Sequence, residues 1–218
     1  MAYINEREAF FKPASAEVRA PGNGKPPIKV GFKRLSPDAV LPTKAHASDS
    51  GFDLVANADV LVEPGATVVV PTGIAVQLPA GYEAQVRPRS GVTSKTKLRV
   101  QLGTIDNGYG GEIGVIVDNI AQDPFGNVDS FPIHVDGGHR KYGDRQYEQG
   151  THIVRKGDRI AQLVITRLPD VEAVEVEDVG ATDRGANGFG SSGVRDALIK
   201  ETIGDNHEVL ARLANDDV

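Results

Sequence analysis

The chain has no cysteine. Disulfides, thiolate metal sites and cysteine nucleophiles are thereby excluded. Tryptophan is also absent, and aromatic residues make up only 6% of the sequence, so a core in a chain that is 39% hydrophobic must rest on Val, Ile, Leu and Ala. No run of about 18 or more apolar residues occurs, and no membrane-spanning helix is expected. The stretch Met1–Arg19 lacks the apolar centre of a signal peptide, which points to a soluble, cytoplasmic protein. Positive charge is not in excess either. The formal net charge is -6, which argues against direct binding to a nucleic-acid backbone. An acidic chain that handles an anionic ligand must concentrate cations locally, so placed arginines are the residues to look for.

What is present is strand signal. Short runs rich in Val and Ile recur between turn residues: Ile28–Val30, Phe52–Val55, Val60–Val62, Thr67–Val70, Ile74–Val76, Tyr82–Val86, Ile113–Val117, Ile153–Val154 and Ile160–Ile165. Pro64-Gly65, Pro71, Pro79-Ala80-Gly81 and Asn107-Gly108 punctuate them. The pattern predicts an all-β barrel or sandwich; the middle of the chain lacks the helical periods that an α/β fold needs. Residues 1–27, ending in the Gly/Pro-rich break Pro21–Pro27, are expected as an N-terminal arm. Residues 122–150 are polar and weakly periodic and suggest a long excursion from the core. Beyond Gly193, residues 194–218 suggest a tail of one or two short amphipathic helices.

Five segments carry residues suited to chemistry, and each also has a structural reading. Asp183–Gly193 combines glycines with Arg184, Ser191 and Ser192, a phosphate-grasping mixture, and isolates Phe189 between Gly188 and Gly190 where its ring would cover a flat base. The same composition suits a flexible tail. In Arg87–Lys95, Arg89, Ser90 and Gly91 either converge on phosphate or form a basic turn in which Ser90 caps a short helix. In Leu102–Gly114, Asp106-Asn107-Gly108 predicts a β-hairpin. Asp106 at its bend either forms the turn or holds and deprotonates a water. Gln162 interrupts the apolar run Ile160–Ile165, in a core hydrogen bond or facing a ligand. Asp53, at the start of an apolar strand, needs a cation or a donor.

Taken in order, SGFDL (Ser50–Leu54), PRSG (Pro88–Gly91), GTIDNGYGG (Gly103–Gly111), GDRIAQL (Gly157–Leu163) and RGANGFGSSG (Arg184–Gly193) resemble the five signature motifs of the trimeric dUTPase family. The resemblance spans residues 28–193 apart from the inserted 122–150 stretch, and loops inserted there resemble those of some bacteriophage members. It implies a jelly-roll-like β barrel, a homotrimer with active sites shared among three chains, and hydrolysis of dUTP to dUMP and pyrophosphate. That reaction limits uracil incorporation into DNA and supplies dUMP for thymidylate synthesis. By resemblance, Asp106 activates the attacking water, and Tyr109 packs on the deoxyribose and excludes a 2′-hydroxyl. Gly103, Thr104 and Ile105 read uracil, while Arg89, Ser90, Gly91 and Gln162 hold phosphates. Arg184, Gly190, Ser191 and Ser192 close on the γ-phosphate under Phe189. Mg2+ is carried by the triphosphate, and Asp53 meets it through water.

Ser192 stands where Thr is usual in the family, Phe52 where Tyr is common and Asn187 where Gly is common. A dCTP deaminase shares the fold but needs a glutamate shortly before an asparagine. Here Gly114–Asn119 reads GVIVDN and has none. A regulatory module that binds a protein partner is the other alternative. Within 122–150, Phe131, Tyr142 and Tyr147 with Arg140 and Arg145 suit an interface, while His134 and His139 lack the spacing partners of a metal site.

Overall fold

The computed structural model describes residues 28–123, 125–182 and 185–186. By contacts the chain divides into Met1–Asp170 and Val171–Val218. In the second unit the described residues form no helix or strand. The expected N-terminal arm and C-terminal helices lie outside the described residues, as do Arg184, Phe189, Gly190, Ser191 and Ser192.

The first unit is all-β with one short helix. Its elements in chain order are β1 (Gly31–Arg34), β2 (Phe52–Val55), β3 (Val60–Val62), β4 (Thr67–Pro71), β5 (Ile74–Gln77), β6 (Tyr82–Pro88), α1 (Ser90–Lys95), β7 (Leu98–Val100), β8 (Gly103–Ile105), β9 (Gly114–Asn119), β10 (Val128–Asp129), β11 (Ile133–His134), β12 (Tyr147–Glu148), β13 (His152–Val154) and β14 (Arg159–Arg167). They form a four-stranded sheet β2-β14-β6-β8, two three-stranded sheets β4-β9-β7 and β11-β13-β3, and the pairs β1-β5 and β10-β12. The arrangement is jelly-roll-like; among the described residues the ladders do not close into a barrel.

Alternation along the strands builds the core. In β9, Val115 and Val117 are buried while Ile116 between them is exposed. The fully buried large side chains are Leu, Ile and Val with His152, as the shortage of aromatics requires. Each such Val, Leu or Ile contributes roughly 1.5–3 kcal/mol relative to exposure.

Two expectations are corrected and a third is refined. The run Ile28–Val30 is not a strand; β1 begins at Gly31, where its backbone pairs with β5 (Gly31 opposite Gln77) despite a mostly exposed sequence. The turn after Ile105 forms, with the Tyr109 N–H donating to the Asp106 carbonyl at 3.0 Å, but it does not close a hairpin. β8 pairs with β6, whereas β9 pairs with β4 and β7, so the chain passes between sheets. The polar 122–150 stretch is mostly exposed, as expected of an excursion, but it is anchored to the β11-β13-β3 sheet. β11 runs parallel to β13, and His134 and Tyr147 are buried. Arg155 stacks on Tyr142 with its guanidinium carbon 5.0 Å from the ring centroid. Polar composition hid this because only a few side chains of the stretch point inward.

Candidate active site

The four-stranded sheet aligns the site. On β14, Gln162 lies opposite Asp53 on β2 and Arg87 on β6. A bulge between Arg159 and Ala161 resets the register just before this row. The neighbours Leu54, Ala161, Leu163 and Val86 point into the core, so strand alternation forces the polar row onto the opposite face. Pro88 ends β6 and the chain turns into α1, whose cap is Arg89, not Ser90; no side chain makes the cap hydrogen bond. Val92 anchors the helix in the core, and the Arg99 guanidinium takes up the carbonyls of Thr93, Thr96 and Leu98.

Asp53, Arg89, Ser90, Gly91 and Gln162 thus line one cleft of about 470 Å3, together with Arg87. Asp53 satisfies its carboxylate twice, with Arg89 Nε at 3.3 Å and Arg159 Nη1 at 3.4 Å. Arg89 also donates to the Arg159 carbonyl at 3.0 Å. The Gln162 amide donates to the Pro88 carbonyl at 3.0 Å. Its side chain lies flat over Gly51, where an added Cβ would fall 2.8 Å from Oε1. Arg87 and Arg159 were not singled out from the sequence. The alternation Arg87-Pro88-Arg89 carried the signal for Arg87, since positions two apart share a face; the signal for Arg159 appears only with the β14 register.

Asp106 and Tyr109 stand elsewhere. The residues Asn107–Gly110 line a second cleft of about 400 Å3 with Phe32, Val76 and Gln77, which shares no lining residue with the first. The turn is pinned by Asn107, whose amide donates to the Leu78 and Pro79 carbonyls at 2.7 and 2.9 Å. Tyr109 folds back so that its hydroxyl donates to the Glu112 carbonyl at 2.9 Å. Gly111 makes that possible: a Cβ there would lie 2.5 Å from the Tyr109 hydroxyl. Asp106 is exposed at the first position of the turn. Gly103 and Thr104 lie on β8 with Ile105, whose side chain is buried. Among the described residues β8 is an edge strand bonded only to β6, and an edge strand leaves a row of backbone donors and acceptors unpaired.

Among the described residues no three His, Asp or Glu side chains gather as a metal cage. In the first cleft Asp53 is already paired with two guanidiniums, and Asp49 accepts the His46 N–H at 2.8 Å. This donor set fits an ion that arrives with its own phosphate ligands and touches protein at most through water. It does not fit direct coordination by Asp53. No helix among the described residues is long and apolar enough to cross a membrane.

The dUTPase family model matches residues 38–127 and 147–193, more than half of the chain, and leaves out 128–146 within the inserted stretch. The deoxyuridine 5′-triphosphate nucleotidohydrolase of Solibacter usitatus is 40% identical over 152 residues, covering 68% of this chain and 85% of that protein. The enzyme of the same name from Nocardia farcinica is 41% identical over 150 residues, covering 68% and 75%. Among solved structures, a Staphylococcus bacteriophage 80alpha dUTPase variant with dUpNHpp superposes with a TM-score of 0.72 at 36% identity, covering 76% of this chain and 99% of that one. A variant dUTPase of phage phi11 of S. aureus, described with a coordinated structural Mg(II) ion, gives 0.67 at 33% identity, covering 69% and 98%.

Proposed function

The chain belongs to the dUTPase family and hydrolyses dUTP as a dUTP diphosphatase, and from that premise we propose how its residues divide the work. Asp106 holds the attacking water and takes its proton as the water oxygen bonds to the α-phosphorus. The bond from the α-phosphorus to the bridging oxygen breaks, and pyrophosphate leaves dUMP behind. Arg89, Ser90 and Gly91, with Gln162, hold the phosphates; charge-assisted hydrogen bonds are the strong ones available for this. The outer edge of β8, Gly103 to Ile105, reads uracil through its backbone. Tyr109 packs on the deoxyribose and leaves no room for a 2′-hydroxyl. Phe189 covers the base while Arg184, Gly190, Ser191 and Ser192 close on the γ-phosphate, a step that expels water. Mg2+, when bound with the triphosphate, offsets its charge and stabilises the leaving pyrophosphate; Asp53 would hold it through water. Removal of dUTP keeps uracil out of DNA and provides dUMP for thymidylate synthesis, in the cytoplasm of a bacterial or phage-infected cell.

One observation carries the assembly. Within a single chain neither Asp106 nor Tyr109 lines the phosphate cleft, and Asn107–Gly110 of their turn line another one, so a complete site is made when the turn of one chain meets the cleft of another. We infer a homotrimer of 23.1 kDa chains, closed by threefold symmetry. Mixing Asp106→Asn chains with Arg89→Ala chains, each inactive alone, then restores activity through hybrid sites. Absence of restoration in verified mixed trimers refutes the shared site. On the 122–150 stretch, Tyr142 and Tyr147 are used within the chain, which leaves Phe125 and Phe131 as the surface open to a protein partner.

A further inference from the structure

Glu83, Gln85 and Arg87 occupy alternate positions of β6 and share its polar face, while Ala84 and Val86 between them are fully buried. They form a directed relay. Glu83 Oε1 accepts from Gln85 Nε2 at 2.5 Å, which turns the Gln85 oxygen toward Arg87. That oxygen accepts from both Arg87 Nε and Nη2, at 3.1 and 2.6 Å. One side of the guanidinium fork is therefore fixed. Among the described residues its remaining nitrogen, Nη1, makes no hydrogen bond and Arg87 makes no ion pair, in contrast to Arg89 and Arg159, which share Asp53. The half-buried cation faces the phosphate cleft beside Arg89, directly across from Gln162. Of the two carboxylates of that cleft, Asp53 pairs with those arginines and Asp49 accepts the His46 N–H; among the described residues neither bonds Arg87. A guanidinium held on one edge by a neutral amide keeps its full charge and a free N–H for an anion that enters the cleft.

We propose that Arg87 is a further phosphate-binding residue, which donates to an oxygen of the dUTP triphosphate and is held in position by Gln85 and Glu83. This rests on the reading of the cleft as the triphosphate site. The test is calorimetric titration of the whole enzyme with a non-hydrolysable imido analogue of dUTP, with deoxyuridine as the phosphate-free competitor and light scattering to follow assembly. Arg87→Gln is expected to bind the analogue roughly 10- to 100-fold more weakly, the usual loss for a hydrogen bond between charged groups, while the inhibition constant of deoxyuridine stays at the parent value. Arg87→Lys, which keeps charge but lacks the fork that Gln85 holds, recovers only part of the affinity. Parent-like binding by Arg87→Gln, or an equal loss for deoxyuridine, overturns the proposal. If Arg87→Gln changes the oligomeric state, Gln85→Leu decides: weaker analogue binding at unchanged assembly supports the relay, and parent-like binding overturns it. Arg89→Gln separates the two levels, because loss there without loss in Arg87→Gln defeats only the Arg87 assignment, whereas no loss in either defeats the cleft.

Discussion

Replacing Gly111 by alanine tests whether the position of Tyr109 sets sugar selectivity. The new Cβ would lie 2.5 Å from the Tyr109 hydroxyl oxygen, 2.7 Å from Cζ and 3.1 Å from Cε2. Ordinary contact needs about 3.4 Å or more, so the phenol must retreat by roughly 1 Å. The ring is 46% exposed and has somewhere to go, so the strain is relieved by movement, not stored. What is lost is the hydrogen bond to the Glu112 carbonyl, about 1 kcal/mol, well short of the penalty for overpacking a closed core. Stability therefore falls by a small amount, but selectivity falls by much more, since a displacement of about 1 Å at a positioned group costs up to roughly 100-fold. The assay is the ratio of kcat/KM for dUTP over UTP, read beside the thermal midpoint. The ratio is expected to drop about 10- to 100-fold. Gly108→Ala, in the same turn with nothing within 4 Å of its added Cβ, is the steric control for stability. An unchanged dUTP/UTP ratio in Gly111→Ala would refute the assignment of sugar discrimination to this ring.

Asp106→Asn should retain binding of dUTP and lose most turnover, because an amide cannot accept the proton of water; single-turnover rates near those of the parent would remove Asp106 from the chemistry. Gly51→Ala should raise KM for dUTP through displacement of Gln162, whose Oε1 and Cβ would lie 2.8 and 3.0 Å from the added methyl group; an unchanged KM would separate Gln162 from the phosphates. Burial holds the His152 imidazole below its ordinary 6.5, with nearby His139 acting in the same sense against a hydrogen bond to the Gly150 carbonyl. The unfolded chain then takes up the proton first, so stability falls as pH drops below about 6.5. The thermal midpoint of the parent should lose more between pH 7 and pH 5 than that of His152→Gln, and parallel curves would contradict this. Replacing residues 128–146 with a short Gly/Ser turn removes β11 from its sheet and the Tyr142 stack from Arg155. A thermal midpoint lower by several degrees is expected, and an unchanged one would show the stretch to be a mere appendage.

How much of this was legible beforehand depends on the range over which each feature is decided. The strand runs, the all-β class and the five motifs are local: β-branched residues at a period of two and glycines at turns act within a few positions, and the linear text displays them. Val68–Val70 and Ile160–Leu163 therefore became strands where the pattern put them. Pairing is not local. Asp106-Asn107-Gly108 is a sound turn signal, yet the strand after it left for another sheet because β4 and β7 offered apolar partners for Val115 and Val117. The polar look of residues 122–150 gave no hint that Tyr147 and His134 are buried, since a few inward side chains barely alter average composition.

The sequence by itself determined the chemistry available: no thiol, no excess of positive charge, and arginines placed beside glycine and serine. Tertiary structure alone decided which of those groups meet. It brought Asp53, Arg87, Arg89 and Gln162 from three strands and a helix cap into one row, used Arg159 to balance Asp53, and left Arg87 without a carboxylate partner among the described residues. It also set the Asp106 turn apart from that row. The physical reason is that ladder register and sheet membership are fixed by burying apolar faces against partners far along the chain, and that choice carries the polar side chains on the opposite face with it.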